Sequence, residues 1–184
     1  MADGKTRILV LGGGLGGVYT AIYLEKGMTR AEREQIEVTF ASQENYIDFQ
    51  PFLPEVTSAT IETLHVIALI QRLAKRARLT RAKSKSATSR RNKVRLAPEF
   101  VPRPTELEFD HPVLAMGTKM NYSLVAGIKE HAINFKYPGD ALRLRNETVR
   151  MLEQAENETS PAERKKLLTF VVGGGGFSGV ECMA

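Results

Sequence analysis

The feature that most constrains the fold is a glycine-rich turn that follows a short apolar run near the amino terminus. The stretch RILVLGGGLGGVYTAIYL places Gly12, Gly14 and Gly17 at G-x-G-x-x-G spacing. The continuous apolar run at 8–11 predicts a buried parallel strand, and residues 18–26 predict a helix. The glycines are therefore expected to form the turn between a strand and a helix.

Each glycine of this turn has a physical role when the turn binds a dinucleotide. Gly12 allows the tight turn out of the strand, and Gly14 lets a pyrophosphate approach the backbone because it lacks a Cβ. Gly17 lets the helix pack close to the strand, and the helix amino terminus offers free N–H groups to phosphates. Residues 36–41, IEVTFA, predict the second strand and complete a βαβ unit.

The end of this second strand departs from the dinucleotide-binding pattern. The pattern has an acid there, which holds a ribose 2′-hydroxyl. Here Ser42 takes that position and Glu44 follows two residues on. A serine can still hydrogen-bond a ribose hydroxyl, but more weakly than a carboxylate does.

The glycine pattern occurs a second time, about 160 residues further along the chain. Gly174, Gly176 and Gly179 repeat the spacing after the apolar run LLTFVV at 167–172, which predicts a third buried strand. Two such loops predict two dinucleotides. This arrangement is typical of a flavoprotein in which one nucleotide fold binds FAD, a second binds NAD(P)H, and hydride passes between them.

Local patterns predict the elements between the two loops. They are a polar connector at 28–35, an ordered loop at 45–56, a helix at 61–78, a polar and basic low-complexity segment at 80–92, a short buried strand at 111–118, a long helix with Asp140 as its N-cap and a helical turn with Ser160 as its N-cap.

The positive charge is concentrated in one segment. The formal net charge is +5, and Arg72 to Arg95 contain eleven Lys or Arg residues and no acid. Such a block can bind nucleic acid or an anionic membrane. Because no aromatic residues are interleaved for base stacking, we interpret it as a solvated helix face and a basic loop, and expect no nucleic-acid partner.

Composition restricts other classes of function. The single cysteine, Cys182, excludes an internal disulfide, and the three histidines show no ligand spacing, so no metal site is expected. The amino terminus lacks the pattern of a signal peptide, and no apolar run approaches the ~20 residues of a membrane span. We expect a cytoplasmic protein.

The chain resembles the type II NADH dehydrogenases, which are single-subunit FAD-dependent NADH:quinone oxidoreductases of the two-dinucleotide-fold flavoprotein superfamily. Six segments carry the resemblance: RILVLGGGLGGVYTA, NYIDFQPFLPEV, IETLHVIALIQRL, FDHPVLAMGT, DALRLRNETVRMLEQAE and LLTFVVGGGGFSGVE. The run from Asp140 to Glu181 is the most specific part. Segment 80–92 departs from the family, because it lacks the apolar residues of an alternating, half-buried strand.

The resemblance implies roles for individual residues. The implied FAD-binding set is Gly12, Gly14, Leu15, Gly16, Gly17, Ser42, Gln50, Pro51, Ala115, Gly117 and Thr118. The implied NADH-binding set is Gly174, Gly176 and Gly179. Glu181 matches an acid near the nicotinamide and quinone sites and is the candidate catalytic residue, although an acid at a helix start also has a purely structural explanation. Cys182 is interpreted as a buried helix residue rather than as a redox thiol.

The implied fold is α/β. Residues 1–137 form an incomplete Rossmann-like FAD-binding domain, 138–166 a linker helix region, and 167–184 the first strand and start of an NADH-binding domain. We expect the chain to be the amino-terminal part of a larger enzyme and to be inactive alone.

The implied activity is hydride transfer from NADH to FAD and then to a quinone. Full-length relatives act on the cytoplasmic face of a membrane, which they reach through a carboxy-terminal part that this chain lacks. Two alternatives stay open: another flavoprotein such as a sulfide:quinone reductase, which would need redox cysteines, or a non-catalytic remnant or basic nucleotide-binding module. The sequence predicts neither the quinone nor the oligomeric state.

Overall fold

The structure, a computed structural model, describes residues 4–90, 92–97, 105–123 and 125–184, and it describes no side chain for 83–90 and 105. The chain divides into two compact units. The first unit comprises residues 1–47 and 67–118, and the second comprises 48–66 and 119–184. The proline-rich segment at 98–104 lies outside the described residues.

The described elements begin with a strand–helix–helix–strand order. The strands are β1 (Thr6–Leu11), β2 (Ile36–Ser42), β3 (Tyr46–Asp48), β4 (Ile67–Leu69), β5 (Arg78–Arg81), β6 (Lys83–Arg90), β7 (Lys93–Ala97), β8 (Thr105–Glu108) and β9 (His111–Leu114). The α-helices are α1 (Leu15–Gly27), α2 (Arg30–Gln35), α3 (Leu53–Thr57), α4 (Ile70–Leu73), α5 (Ile128–His131), α6 (Pro138–Asn157), α7 (Pro161–Leu167) and α8 (Phe177–Glu181). Short 3₁₀ helices form at Gln50–Phe52 and Thr63–Val66.

A four-stranded parallel sheet organises the first unit. Its strand order is β5-β2-β1-β9, with β1 paired to β2 on one side and to β9 on the other. Chain order therefore reverses between β1 and β9, as it does in doubly wound dinucleotide-binding sheets. The predicted α/β class is confirmed.

Alternating residues of β1 fill two cores on opposite faces of this sheet. Val10 packs with Val18 of α1 and with Phe40 of β2, and all three are at most 1% exposed. Leu9 and Leu11 face the other side, where the buried residues of β7 cover them. A strand that is covered on both faces has a continuous run of apolar residues, so the run at 8–11 correctly predicted strand β1.

A three-stranded antiparallel sheet, of order β6-β7-β8, completes the first unit. The segment at 80–92 lacks the apolar residues of an alternating, half-buried strand. It nevertheless contains the end of β5 and all of β6. Strand β6 is defined by its backbone hydrogen bonds to β7. Apolar alternation in the sequence does not reveal such hydrogen bonds.

In the second unit, helix α3 packs against the long helix α6. Leu53 and Val56 of α3 and Ala141 of α6 are at most 2% exposed. Helix α6 begins at Pro138, earlier than predicted, and its N-cap is Tyr137. Asp140 is its third residue, not its N-cap, and accepts hydrogen bonds from the backbone N–H groups of Lys136 and Tyr137. The predicted N-cap of α7, Ser160, is confirmed.

The continuous helix predicted for 61–78 is wrong. The structure divides this segment into the 3₁₀ turn Thr63–Val66, strand β4 and the single turn α4. Its apolar residues do not share one buried face: Ile70 is 1% exposed, whereas Leu64 is 72% exposed. The Ile70 N–H also donates to the carbonyl of Asn45, a long-range hydrogen bond that spacing within the segment does not reveal.

Two segments predicted as irregular contain short helices. Helix α2 lies in the connector at 28–35, where Thr29 and Glu32 form a reciprocal capping box. This T-x-x-E signal was present in the sequence and was missed. The loop predicted at 45–56 contains β3, a 3₁₀ turn and α3, and Pro54 lies in the first turn of α3, where a proline needs no N–H partner.

The strand predicted at 167–172 is also wrong. Leu167 ends α7, and the residues from Leu168 to Gly176 carry no strand in the structure. Val171 is 86% exposed. A strand needs a neighbour to satisfy its backbone N–H and C=O groups, and none of the described strands pairs with this segment.

None of the helices formed by the described residues combines the length and the apolar character that crossing a membrane requires.

The sheet core gives a test of the fold. Phe40 of β2 is fully buried in the cluster that contains Val10 of β1 and Val18 of α1, so Phe40→Ala should lower the free energy of unfolding by about 3–5 kcal/mol. Tyr23, on the outer surface of α1, is 66% exposed, and Tyr23→Ala should cost less than about 1 kcal/mol. Urea denaturation followed by circular dichroism measures both. Similar costs for the two variants would contradict this core.

Candidate nucleotide-binding site

The first glycine loop lies at the carboxyl edge of the parallel sheet, where strand order reverses. The Gly12 N–H donates to the carbonyl of Ala41, near the end of β2, at 2.9 Å. The Ala115 N–H, just past β9, donates to the carbonyl of Leu11 at 2.8 Å. Ligands of open α/β sheets bind in the crevice outside the strand ends at such a point.

Gly12 and Gly17 are required by the packing of the loop itself. Gly12 has φ +113°, and a Cβ there would lie 2.1 Å from the carbonyl oxygen of Ala115. A Cβ on Gly17 would lie 1.9 Å from the carbonyl oxygen of Gly12. Both neighbours are backbone atoms and cannot move aside cheaply, so these two glycines set how closely α1 and the chain after β9 approach β1.

Gly14 differs, because no atom lies within 4 Å of the place its Cβ would occupy. It is the N-cap of α1, with extended backbone (φ −76°, ψ −174°), and its carbonyl accepts from the Val18 N–H at 3.0 Å. The fold therefore has no need of a glycine here. What the missing Cβ provides is an open approach to the amino terminus of a 13-residue helix, where unpaired N–H groups favour an anion.

Ser42 lies under the same loop. It is 8% exposed, and a Cβ on Gly13 would lie 2.3 Å from the Ser42 Oγ. The structure thus brings the predicted ribose contact next to the loop predicted for the pyrophosphate. It also gives Gly13 a packing role that the spacing rule does not contain.

Arg81 is a residue of this edge that the sequence analysis did not identify. It is the last residue of β5 and the register partner of Ser42 across the parallel pair. Its Nε donates to the carbonyl of Gln43 at 3.5 Å. The only signal was its membership of the basic block, which gives no information about strand register.

The turn after β9 forms the other wall of the loop. Ala115 and Met116 approach Gly12 through their backbone, and the Ala115 side chain would lie 3.8 Å from a Cβ on Gly16. Gly117 has φ +64° and turns the chain, with Thr118 exposed beside it. The structure therefore brings the turn that was predicted to close over a cofactor against the first loop.

The second glycine loop repeats the local geometry of the first. Gly174 has φ +135°, and Gly176 caps α8 with φ −76° and ψ 173° and has open space at its Cβ position. A Cβ on Gly179 would lie 2.2 Å from the Gly174 carbonyl oxygen and 3.2 Å from a Val172 methyl group. The corresponding methyl distance in the first loop, from Gly17 to Val10, is also 3.2 Å.

Gln50 and Pro51 lie in the second unit, in the 3₁₀ turn before α3, and both are exposed. The Gln50 side chain hydrogen-bonds the carboxylate of Asp48. Burial raises the pKa of Asp48, while hydrogen bonds from its own N–H and from Gln50, and the charge of Lys136, act in the opposite direction. One Asp48 oxygen, Oδ2, is buried without a hydrogen-bond partner among the described residues.

The candidate catalytic residue, Glu181, is the last residue of α8 and is exposed. Partial burial, together with the charge of Glu181, raises the pKa of the adjacent Cys182 thiol. A raised pKa disfavours the reactive thiolate. Cys182 is half-buried and follows the last residue of α8, so the prediction of a buried residue within a helix is wrong. Within the described part of the chain, no three His, Cys, Asp or Glu residues are grouped to hold a metal ion.

A comparison of the sequence with known protein families gives a match that is consistent with the two glycine loops and the parallel sheet. The family described as pyridine nucleotide-disulphide oxidoreductase matches residues 6–184. The chain belongs to this family. The match includes both loops.

Two relatives of the chain are named as quinone oxidoreductases. The chain is 30% identical to the mitochondrial external alternative NAD(P)H-ubiquinone oxidoreductase B4 of Arabidopsis thaliana, over 98% of this chain and 31% of the relative. It is 29% identical to the type II NADH:quinone oxidoreductase NdhA of Mycobacterium tuberculosis, over 97% of this chain and 37% of the relative. The predicted resemblance to type II NADH dehydrogenases is confirmed, and the chain spans about a third of these relatives' length.

A solved structure agrees with this placement. The NDH2 of Plasmodium falciparum, in complex with RYL-552, superimposes with a TM-score of 0.83 at 25% identity. The superposition covers 97% of this chain and 36% of that protein. The fold of the described residues is thus that of the corresponding part of a type II NADH dehydrogenase.

The different roles of the loop glycines can be tested by stability. Gly17→Ala places a Cβ against a backbone oxygen and should lower the free energy of unfolding by about 2–3 kcal/mol. Gly14→Ala meets open space and should cost less than about 1 kcal/mol. Chemical denaturation of both variants measures the difference. A Gly14→Ala variant as unstable as Gly17→Ala would show that Gly14 serves packing.

Asp48 should make stability depend on pH. Its folded-state pKa is raised, so its contribution to stability is fully present below the ordinary pKa of an aspartate and is lost as pH rises through the folded value. Asp48→Asn, which stays neutral, should therefore raise the melting temperature at pH 7. The gain should shrink as pH falls toward about 4. Thermal melts of both proteins between pH 4 and 8 provide the measurement, and a pH-independent gain would rule out titration of Asp48.

Proposed function

We propose that this chain provides the FAD-binding part of an NAD(P)H:quinone oxidoreductase of the type II NADH dehydrogenase kind. The observation that carries the proposal is the open space at the Cβ position of Gly14. This space lies at the amino terminus of α1, where the strand order of the parallel sheet reverses. The names of the relatives, which act on NAD(P)H or NADH and on ubiquinone or quinone, support it. Bound FAD would accept hydride from NADH and pass electrons to a quinone.

The residues present fit such a cofactor. The backbone of Gly12, Gly14 and Gly17, with Leu15 and Gly16 between them, would hold the pyrophosphate. A Cβ at Gly14 would fill the space that a phosphate needs, whereas the fold leaves it open. Ser42 would bind the adenosine ribose. Ala115, Gly117 and Thr118 would close over the cofactor, and Gln50 and Pro51 would lie near the flavin ring.

For the second site we propose NADH. Gly174, Gly176 and Gly179 would hold its pyrophosphate, supported by the repeated loop geometry and the open space at Gly176. Glu181 would handle protons beside the nicotinamide and quinone. In this assignment residues 1–137 belong to the FAD domain, 138–166 to a linker and 167–184 to the NADH domain.

The proposed location is the cytoplasm, with peripheral membrane association only where a carboxy-terminal part like that of the full-length relatives is present. The absence of nucleic acid among the partners stays a prediction. Filter binding of duplex DNA at physiological salt tests it, because basic segments that bind DNA do so in a strongly salt-dependent manner.

Flavin binding tests the first site. Purified protein incubated with FAD and desalted should show the two visible absorption bands of bound flavin. Gly14→Val should abolish them, because its side chain occupies the phosphate approach, while the fold is retained. Gly176→Val is the matched control, since it makes the same change in the second loop. Retention of flavin by Gly14→Val, with wild-type circular dichroism, would show that this loop does not hold the cofactor.

Turnover tests the second site. The segment before the second loop forms no described strand, so this loop lacks the sheet edge that supports the first one. We expect the 184 residues, assayed with FAD, NADH and a soluble quinone, to oxidise NADH no faster than free FAD does. Turnover of about 1 s⁻¹, at the low end of ordinary enzymes, would contradict this expectation.

A further inference from the structure

The segment at 48–52, which belongs to the second unit, combines two exposed aromatic rings with a half-buried carboxylate. Phe49 and Phe52 pack edge to face with their ring centroids 4.9 Å apart, and they are 45% and 43% exposed. Gln50 lies between them in sequence and is also exposed. Aromatic surface that stays exposed beside a polar amide is typical of a ligand contact rather than of a core.

The backbone on both sides of Gln50 is held by hydrogen bonds. The Phe49 N–H donates to the carbonyl of Val66 at 2.8 Å, and Val66 is 4% exposed. The Phe52 N–H donates to the Phe49 carbonyl at 3.0 Å, and the Leu53 N–H donates to the Gln50 carbonyl. The fold therefore fixes where the Gln50 side chain begins, but these contacts do not determine which way its amide points.

Asp48 supplies the restraint on that amide. Its half-buried carboxylate accepts a hydrogen bond from the Gln50 side chain. The donor is the amide nitrogen of Gln50, because an ionised carboxylate has no proton to donate. A hydrogen bond to an ionised acceptor is roughly twice as strong as a neutral one. While Asp48 holds the nitrogen, the carbonyl oxygen of the Gln50 amide, Oε1, is the group that is left for a ligand.

Stability does not explain a carboxylate at position 48. Its Oδ2 atom is buried and has no hydrogen-bond partner among the described residues. Leaving a buried acceptor unpaired costs about 1–3 kcal/mol. The charge of Lys136 favours the ionised form of Asp48, and Asp140 of α6 accepts from the backbone N–H of Lys136. The contact that an ionised carboxylate makes better than a neutral side chain is the one with Gln50.

We propose that Asp48 is a positioning residue, which orients the amide of Gln50 so that its carbonyl oxygen accepts hydrogen bonds from N–H groups of the flavin ring. The proposal rests on the FAD assignment under the proposed function, which puts Gln50 near the ring but gives Asp48 no role. Reduced flavins carry more N–H donors than oxidised flavins do. A carbonyl oxygen held toward the ring therefore favours reduced over oxidised FAD, and hydrogen bonds to ring nitrogens are one way in which a protein tunes this cofactor.

The contact between Asp48 and Gln50 is tested without a cofactor. In a nitrogen–proton correlation NMR spectrum of the whole chain, the side-chain amide of Gln50 should shift with pH as Asp48 titrates, with a midpoint above the ordinary aspartate pKa of about 3.9. Asp48→Asn should abolish this pH dependence. Glu62→Gln, which removes an exposed carboxylate of the same unit, is the matched control and should leave it unchanged. A Gln50 amide that does not respond to Asp48 would overturn the proposal.

The effect on the cofactor is measured by titrating the whole chain with oxidised FAD and, in the absence of oxygen, with reduced FAD. The side chain in Asp48→Asn can donate as well as accept, so it no longer selects one orientation of the Gln50 amide. The preference for reduced over oxidised FAD should fall about fivefold, which corresponds to about one net hydrogen bond. Glu62→Gln should keep the preference. Equal weakening of both oxidation states by Asp48→Asn would indicate a merely structural role and would overturn the proposal.

A double-mutant cycle tests whether Asp48 acts through Gln50. Gln50→Leu should lower the preference for reduced FAD by a similar factor, because it removes the carbonyl oxygen. Adding Asp48→Asn to Gln50→Leu should then change the preference by less than about twofold, since the side chain that Asp48 orients is gone. Additive effects of the two changes would mean that Asp48 acts on the ring independently of Gln50, which contradicts a positioning role.

These measurements separate the role of Asp48 from the FAD assignment. If the wild-type chain binds FAD in neither oxidation state, the FAD assignment fails and the role of Asp48 fails with it. If flavin is retained through Gly14 while wild type and Asp48→Asn show the same preference between the two oxidation states, the FAD assignment stands and the role of Asp48 alone fails.

Discussion

The contact on which the site depends is the close approach of Gly17 to the carbonyl of Gly12. A Cβ at Gly17 would lie 1.9 Å from that oxygen, so only a glycine lets α1 begin this close to the end of β1. The approach directs the amino terminus of α1, with its unpaired N–H groups, at the edge of the sheet. The second restraint is Gly12, whose positive φ and contact with the Ala115 backbone bring the turn after β9 against the same loop. Gly14 is left with open space between these contacts, and that space is what a phosphate would use.

The second loop shows that this geometry is local. Gly174, Gly176 and Gly179 reproduce the dihedral angles and the close glycine–carbonyl approach of the first loop, although none of the described strands pairs with the segment that precedes them. The spacing of the glycines therefore determines the turn without help from a sheet. The sheet determines what surrounds the turn. At the first loop, Ala41 and Ser42 of β2 and Ala115, just past β9, lie against the glycines, and they come from parts of the chain up to about 100 residues away.

Much of this fold could be predicted because the relevant interactions are short-range. The apolar run of β1, the glycine spacing and the apolar residues of β2 all act within a few residues, and each prediction there is confirmed. The prediction of a helix at 61–78 is wrong because backbone groups of this segment form hydrogen bonds with distant residues, such as the carbonyl of Asn45, and not only within helical turns. The strand predicted at 167–172 failed for the complementary reason: its composition favours a strand, but strand formation requires a second strand. For the candidate site, a sequence motif predicted the glycines and Ser42. No motif predicted that Arg81 lies beside them.

The sequence by itself determined the two glycine turns, the strand and helix that flank the first turn, and the family to which the chain belongs. These depend on residue types at fixed spacing, which a linear pattern contains. Only the tertiary structure decided which glycines are required for packing and which one leaves space for a ligand, because that distinction depends on atoms of Ala115, Gly12 and Ser42 near each Cβ position. It also decided that Arg81 is the neighbour of Ser42. Strand register is fixed by hydrogen bonds between residues far apart in sequence, and a single sequence contains no direct record of those pairings.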